Sequence, residues 1–502
     1  MARQLLKSIE TTDPDCPNIL QFQRTLLLKE MDTRMHKLIE SDHVEPSKVC
    51  NLEGTRKMQL KRHPISIFCL AWACVWWASG DARSEEFPEG LKNYVARPEP
   101  VFRWEMKGKS SVGTTTVFDL HLVSQNWQGI VWEHALQVYQ PANAKPAESI
   151  LLWNQGGQPS AGSIAFGIDL AGKIGSPVAF LYGIPNQPLL GNRKEDALIA
   201  ETFVRYLETK DERWPLLFPM VKSLVKAMDA LQAFSEQEWK SPLRKFIVTG
   251  ASKRGWTTWL TAASDSRVMA IAPMVIDTLK MQEQGPYQLK SFGHYSEQIK
   301  DYTERNLVPM PDTPEARRLW TMVDPWAYRD RIRVPKLLIN GANDQYWTTD
   351  ALNLYWEDLL GDKWVIYVPN AGHNLEQRDE KGGRDRSRAV NTLAAFAKHQ
   401  FQSRPFPELS WRHGDADNQA RLEIQSKPAP QAARVWVANA PTRDFRLAKW
   451  AEQSITVGKS MTAVVAFPDS GYRVFFAELE FEIDGLPFYL STQMRILGAP
   501  AQ

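Results

Sequence analysis

The sequence predicts an α/β chain: a mostly parallel sheet with helices on both faces, a helical insertion over the strand ends, and a C-terminal antiparallel β-sandwich domain. Three observations carry this expectation. Between residues 148 and 401, short β-branched and apolar runs alternate with segments whose apolar residues recur at helical spacing. The β-rich runs are apolar throughout, which suits a sheet covered on both faces. Beyond residue 404 the pattern changes to short alternating strands separated by turn residues, as in a sandwich.

In chain order, FPEGLKNYVARPEPVFRWEM (87–106) is a polar lead-in segment, and TTTVFDLHLVSQNWQGIVWEHALQVYQP (114–141) reads as antiparallel strands from its Val, Thr and aromatic alternation. ESILLWNQGGQP (148–159) is a strand ended by a Gly-Gly turn, and SPVAFLYGIP (176–185) is a buried strand ended by proline. Helical spacing marks 194–210 and 218–239. A strand turns sharply into a helix over 245–263, and RVMAIAPMVID (267–277) is the next buried strand. Residues 279–322 are more polar and aromatic and interrupt the rhythm, so they read as the helical lid insertion. The rhythm resumes with VPKLLINGAND (334–344), a helix near 349–360, KWVIYVPNAGHNL (363–375) and a helix over 386–401. The tail strands are RVWVANA, SITVGKSMTAVVAFP, GYRVFFAELEFEI and LPFYLSTQMRIL.

At 502 residues the chain exceeds what one core usually serves, so domains are expected at 83–403 (insertion about 279–322) and 404–502. Net charge is +2 with interspersed signs, which excludes a nucleic-acid-binding surface, and no zinc-type Cys/His spacing occurs. No metal or organic cofactor is expected. MQLKRHPISIFCLAWACVWWASGDARS, from Met58, has a basic start, an apolar run over Ile65–Ala78 and small residues after it. That is the pattern of a secretory signal peptide (58–82) cleaved after Gly80 or Ala82; the alternative is a membrane anchor or a buried helix. Residues 1–57 are then a non-native extension from an over-assigned start codon. Cys16, Cys50, Cys69 and Cys74 all precede the cleavage point. Export implies a periplasmic or secreted protein with no stable membrane insertion after cleavage.

The chemistry centres on VTGASKRGWTTWL (248–260). A serine hydroxyl is a weak nucleophile and needs a base, a group to orient that base, and donors for the oxyanion. A strand-to-helix elbow lifts the serine above the sheet with a helix N-terminus behind it. Gly250-Ala251-Ser252-Lys253-Arg254-Gly255 departs from G-x-S-x-G by a late second glycine. The competing reading of Ser252 is a helix N-cap. On such an elbow the chain order is serine, acid, histidine. Asp344 and His373 come in that order, each just past a buried strand, where open α/β sheets place their sites. Ser252 is then the nucleophile, His373 the general base and Asp344 the orienting acid. Asp277, ending the strand MAIAPMVID, is the alternative acid, while Asp324 and Asp330 suit turn caps. The Lys253 N–H and the Gly156-Gly157 turn, Gly157 in particular, are candidate oxyanion donors, the turn being otherwise an ordinary tight one. Lys253 and Arg254 stand where cations oppose the helix dipole. They are either solvated or used, Arg254 as a contact for an anionic substrate. Trp411, Trp436 and Trp450 suggest a glycan platform, against simple core packing.

GASKRGWTTWLTAA, DPWAYRDRIRVPKLLINGANDQYW and VPNAGHNL together resemble the PhoPQ-activated pathogenicity-related protein family, of the α/β-hydrolase superfamily. The resemblance runs from about residue 90 into the tail. It implies an exported bacterial protein with an α/β-hydrolase core and a β-rich C-terminal part, tied to an envelope-stress regulon responding to low magnesium and antimicrobial peptides. Ser252, Asp344 and His373 fall where such a family would keep a triad. The elbow is also similar to that of glucuronoyl esterases, which keep a basic residue after the serine, as Lys253 is here, and whose acid position keeps Asp277 open. The expectation is a serine hydrolase working through an acyl-enzyme on a small ester or peptide, an anionic one if the basic residues are used, with the esterase favoured. The alternative is a non-catalytic binding or signalling protein on the same scaffold. Substrate and oligomeric state are not legible.

Overall fold

The computed structural model describes residues 89–144, 148–378, 382–416 and 419–498. The expected extension (1–57) and signal segment (58–82) lie outside the described residues.

A short helix α1 (Glu89–Ala96) precedes three antiparallel strands, β1 (Arg103–Val112), β2 (Thr115–Trp127) and β3 (Ile130–Pro141). The alternating runs come next: β4 (Ser149–Asn154), α2 (Ala161–Ile174), β5 (Val178–Leu181), α3 (Glu195–Thr209), α4 (Leu217–Phe234), β6 (Lys245–Ala251), α5 (Lys253–Ser264) and β7 (Val268–Met274). The insertion forms α6 (Met281–Phe292), a one-turn α7 (Lys300–Thr303) and α8 (Pro314–Val323). β8 (Lys336–Gly341), β9 (Lys363–Val368), a two-residue ribbon of β10 (Gln377–Arg378) and β11 (Arg384–Asp385), and α9 (Ser387–Phe401) complete the α/β part. The tail holds β12 (Glu408–Ala416), β13 (Gln419–Lys427), β14 (Ala432–Ala440), β15 (Ala451–Ser454), β16 (Ser460–Ala466), β17 (Tyr472–Ile483), β18 (Leu486–Ser491) and β19 (Arg495–Gly498).

Among the described residues one fourteen-stranded sheet runs β1-β2-β3-β5-β4-β6-β7-β8-β9-β18-β17-β14-β15, with β19 on β17. It is mixed: β5 through β9 are parallel, and antiparallel strands flank them on both sides. Alternation along each central strand fills two cores. Ile150, Leu152, Phe246 and Val248 pack with α4 and α5, and Leu151, Trp153 and Ile247 pack with α2 and α9. Local sequence sets the helix ends. Ser160 and Ser163 form a capping box for α2 and Gly175 closes it in the left-handed region, while Thr313 caps α8 with proline at its first position.

Three local expectations are corrected. The segment 349–360 forms two short 3-10 turns, Ala351–Leu354 and Trp356–Asp358, and not a helix. The lead-in 87–106 contains α1 and the start of β1. Trp436 and Trp450 are buried, and Trp411 packs its ring 5.7 Å from Trp356, so these three do not form an exposed platform.

The tail strands are antiparallel, as their alternation implies, in a β12-β13-β16 sheet and a β18-β17-β14-β15 set. The second set does not stand apart, because β18 pairs with β9 at Ser491 and Val365. Val474 and Phe476 join one core while Phe475 and Ala477 join the other. Hydrogen bonds and both cores therefore continue across residue 403.

Candidate active site

β6 ends at Ala251 and α5 begins at Lys253, leaving Ser252 to make the whole turn at φ 58 and ψ −124. A non-glycine residue holds such a conformation only where its surroundings enforce it. The Ser252 N–H donates to the Met274 carbonyl at 2.9 Å, tying the elbow to the end of β7. A Cβ on Gly250 would lie 2.7 Å from Asn154 Nδ2, and one on Gly255 would lie 2.8 Å from the Met274 carbonyl. Both glycines are thus required by close approach, and the late one serves the contact with β7. Ser252 occupies the N-cap position, but its side chain makes no capping hydrogen bond.

The loops after β8 and β9 are bound together. Asn343 N–H donates to the Ala371 carbonyl at 2.9 Å, and Gly341 passes so near Gly372 that a Cβ would fall 2.3 Å from its oxygen. This brings His373 Nδ1 to 2.8 Å from Asp344 Oδ2. Asp344 Oδ1 accepts from the Tyr346 N–H at 2.9 Å, so both carboxylate oxygens are committed. His373 Nε2 is buried and without a hydrogen-bond partner, so the imidazole and the Ser252 hydroxyl are not hydrogen-bonded to each other. The Tyr346 ring packs against the imidazole at 4.3 Å between centroids, tilted by 30°.

The tail holds both loops. Asn343 Nδ2 donates to the carbonyls of Phe445 (3.0 Å) and Ala448 (2.8 Å). Asn370 exchanges two hydrogen bonds with the Trp450 backbone, at 3.0 and 2.8 Å.

Asp277 belongs to a different group. It accepts from Tyr355 Oη at 2.5 Å and Asn340 Nδ2 at 3.0 Å, and burial pushes its pKa up to about 7. The carboxylate on His373 is that of Asp344. Asp324 caps a turn, accepting from the N–H groups of Trp326, Lys280 and Met281; burial raises its pKa to about 6.

The two cations after Ser252 are neither solvated nor free. The Arg254 guanidinium forks onto Glu195 with two 2.6 Å bonds and donates to the Ile184 carbonyl. Burial works to raise Glu195, but the Arg254 fork outweighs it and holds the carboxyl at about 2. Lys253 Nζ lies 2.7 Å from Asp196 Oδ2, and Asp196 also accepts from Tyr302 (3.0 Å) and Tyr346 (3.3 Å). Arg254 as a contact for a substrate anion is therefore corrected: its charge is spent on Glu195. Gly156 gives that guanidinium its room, since a Cβ there would sit 1.9 Å from Arg254 Nη2. Gly157 is exposed, and its carbonyl accepts from Gly183. The Lys253 N–H lies in the first turn of α5, where backbone donors have no intrahelical acceptor.

Ser252, Lys253, Asp196 and Tyr346 share the wall of a cavity of about 340 Å³. The remaining wall comes mainly from the insertion, including Met281, Ile299, Leu307 and Met310. Asp196, Glu195 and Tyr346 were missed by sequence reasoning. KEDA reads as ordinary acids in a helix first turn, and Tyr346 as one aromatic among many. Among the described residues no helix is long and apolar enough to cross a membrane, and no group of three His, Cys, Asp or Glu side chains is placed to hold a metal ion.

Known proteins share parts of this chain. Autocrine proliferation repressor protein A of Dictyostelium discoideum is 28% identical over 437 residues, covering 79% of this chain and 86% of that protein. Similar solved structures include acetyl xylan esterase 1 from Thermoanaerobacterium sp. JW/SL YS485 (14% identity, 63% of this chain, 94% of that chain, TM-score 0.44). Another is a glucuronoyl esterase from Solibacter usitatus (16% identity, 63% and 92%, TM-score 0.38). The family described as PhoPQ-activated pathogenicity-related protein matches residues 91–446, and the chain belongs to that family.

Proposed function

From that membership and that geometry we propose that the protein is a serine hydrolase acting through an acyl-enzyme. The observation that carries the reading is the 2.8 Å Asp344–His373 pair beside a serine held at φ 58 on a strand-to-helix elbow. Ser252 Oγ attacks the carbonyl carbon while His373 Nε2 takes its proton. Asp344 keeps the other imidazole proton on Nδ1 and stabilises the imidazolium. The Lys253 N–H donates to the oxyanion, with a second donor from the Gly156-Gly157 turn. The C–O or C–N bond then breaks, His373 protonates the leaving group, and water releases the acyl group by the same route. An ester asks less of this arrangement than an amide, because an alkoxide departs more readily than an amide nitrogen.

A second reading, a non-catalytic binding or signalling protein, draws on the unpartnered His373 Nε2 and on the repressor named among the relatives. Catalytic hydrogen bonds are often open before substrate arrives, which keeps the hydrolase first. Labelling by a small fluorophosphonate separates the two. Labelling of the wild type that disappears in Ser252→Ala and His373→Ala supports the hydrolase, and a folded wild type that does not label refutes it. Export and the envelope-stress association belong to the same proposal, resting on the pattern at 58–82 and on the family. The N-terminus of the mature protein recovered from a bacterial host tests export.

A further inference from the structure

Resting on the hydrolase reading, we propose that the cavity beside Ser252 selects an ester carrying a bulky, uncharged, apolar group of about two rings. Size is the first argument. A dry apolar cavity of about 150 Å³ takes a benzene, so the 340 Å³ here takes roughly twice that. Its walls are the second: Trp256, Trp320, Trp347, Ile299, Leu307 and Met310 supply large apolar surfaces. Burying such a group strengthens with each added carbon.

Charge is the third argument. Lys253, the cation on the wall, is matched by Asp196 at 2.7 Å, and Asp196 is further held by two tyrosine hydroxyls. Arg254 is matched by Glu195 and does not line the cavity. A ligand carboxylate would have to displace one of these pairs and leave the largely enclosed Asp196 or the part-exposed Glu195 without its cation. Several polar side chains of the wall are also occupied. On the insertion, Gln288 bonds the Tyr346 carbonyl and the Ser296 N–H and Gln284 bonds the Leu279 carbonyl, and on α5 Trp256 bonds the Val323 carbonyl. What remains open to a ligand is apolar shape together with the neutral indole N–H groups of Trp320 and Trp347, which have no acceptor.

The test uses the full chain and two ester series. One varies the acyl group of nitrophenyl esters from acetyl to naphthylacetyl, and the other varies the alcohol of acetates from ethyl to naphthylethyl, so that acyl carbon and leaving alkoxide keep similar intrinsic reactivity. We expect kcat/KM to rise at least about tenfold along one series and to fall at least about tenfold when the favoured ester carries an added carboxylate. A smaller rise in both series, or a preference for the anionic ester, overturns the inference while fluorophosphonate labelling of Ser252 leaves the hydrolase reading standing. If labelling and hydrolysis are both absent, the hydrolase reading fails and binding decides the cavity. N-phenyl-1-naphthylamine, an uncharged two-ring fluorophore, is titrated into Ser252→Ala, with Met310→Asp and Val308→Lys as half-buried wall variants checked for an unchanged melting curve. Saturable one-site binding weakened at least about tenfold by a folded wall variant upholds the inference; absent or insensitive binding overturns it.

Discussion

Replacing Asp344 by asparagine exchanges one oxygen for a nitrogen at the same shape, and the two hydrogen bonds of the carboxylate set the outcome. One oxygen accepts from the Tyr346 N–H at 2.9 Å and the other faces His373 Nδ1 at 2.8 Å. Asparagine satisfies only one of these. If its oxygen stays on Tyr346, its NH₂ group faces Nδ1 and forces the proton onto Nε2, the atom that must receive the Ser252 proton. If its oxygen turns to His373, two N–H groups face each other in a buried site, which costs about 1–3 kcal/mol. The wrong tautomer therefore dominates by about 5- to 150-fold. The lost carboxylate charge removes up to about 4 kcal/mol of imidazolium stabilisation at an effective dielectric of about 20. Together these predict a fall of about 10³- to 10⁴-fold in the rate of fluorophosphonate labelling and in ester kcat, with a near-normal melting curve. Asp277→Asn is the comparison, since its oxygens meet Tyr355 and Asn340 rather than His373. An Asp344→Asn variant keeping more than about a tenth of the wild-type rate, or a larger loss in Asp277→Asn, would refute the assignment.

Gly255→Ala would push a methyl to 2.8 Å from the Met274 carbonyl and 3.0 Å from that of Gly250. We expect a loss of about 1–3 kcal/mol in a denaturant melt together with reduced labelling. Asn343→Ala removes the donors to the Phe445 and Ala448 carbonyls. It should cost about 1–3 kcal/mol and lower kcat more than it changes KM, read from ester kinetics. His134 is buried among Ser124 and the Tyr182 carbonyl, and burial lowers its pKa from 6.5 to about 4. Its neutral form is favoured in the folded chain, so its stability contribution is complete above 6.5 and is lost as pH falls through 4. The stability gap between wild type and His134→Gln should change by about 3 kcal/mol over that window in urea melts, and a constant gap would contradict it. Trp450→Ala should cost about 3–5 kcal/mol, because the ring is buried 5.2 Å from Phe476. Loss of glycan binding with unchanged stability would restore the platform.

The division between what the sequence disclosed and what it withheld tracks the range of the interactions. The central strands and their helices announce themselves because burial on both faces demands uninterrupted apolar runs, as in KLLING and KFIVTG. The elbow at Ser252 and the strand-end positions that pair Asp344 with His373 were legible because strand ends are marked by local signals, and the 29-residue separation of acid and histidine reflects one crossover. The 349–360 turns were misread because their apolar residues mimic helical spacing while the chain is held by tertiary contacts such as Asn353 to the Met494 carbonyl.

The charges beside the serine show where local reading stops. Lys253 and Arg254 look misplaced at a helix N-terminus, and from sequence that oddity suggests a substrate anion. Their partners lie about sixty residues earlier, at the start of α3, where Glu195 and Asp196 look like routine first-turn acids. Neither half of the pairing is unusual alone. Only the fold sets the two helix N-termini side by side, so that the acids of one neutralise the cations of the other. The consequence runs to function. The Arg254 guanidinium, paired with Glu195, packs against Gly156, and Lys253 and Asp196 contact the Tyr346 that lies against the imidazole of His373. Charges that from sequence await a ligand are spent on one another beside the serine, and Lys253, the cation on the cavity wall, is thereby matched by Asp196, in keeping with the apolar recognition proposed for that cavity.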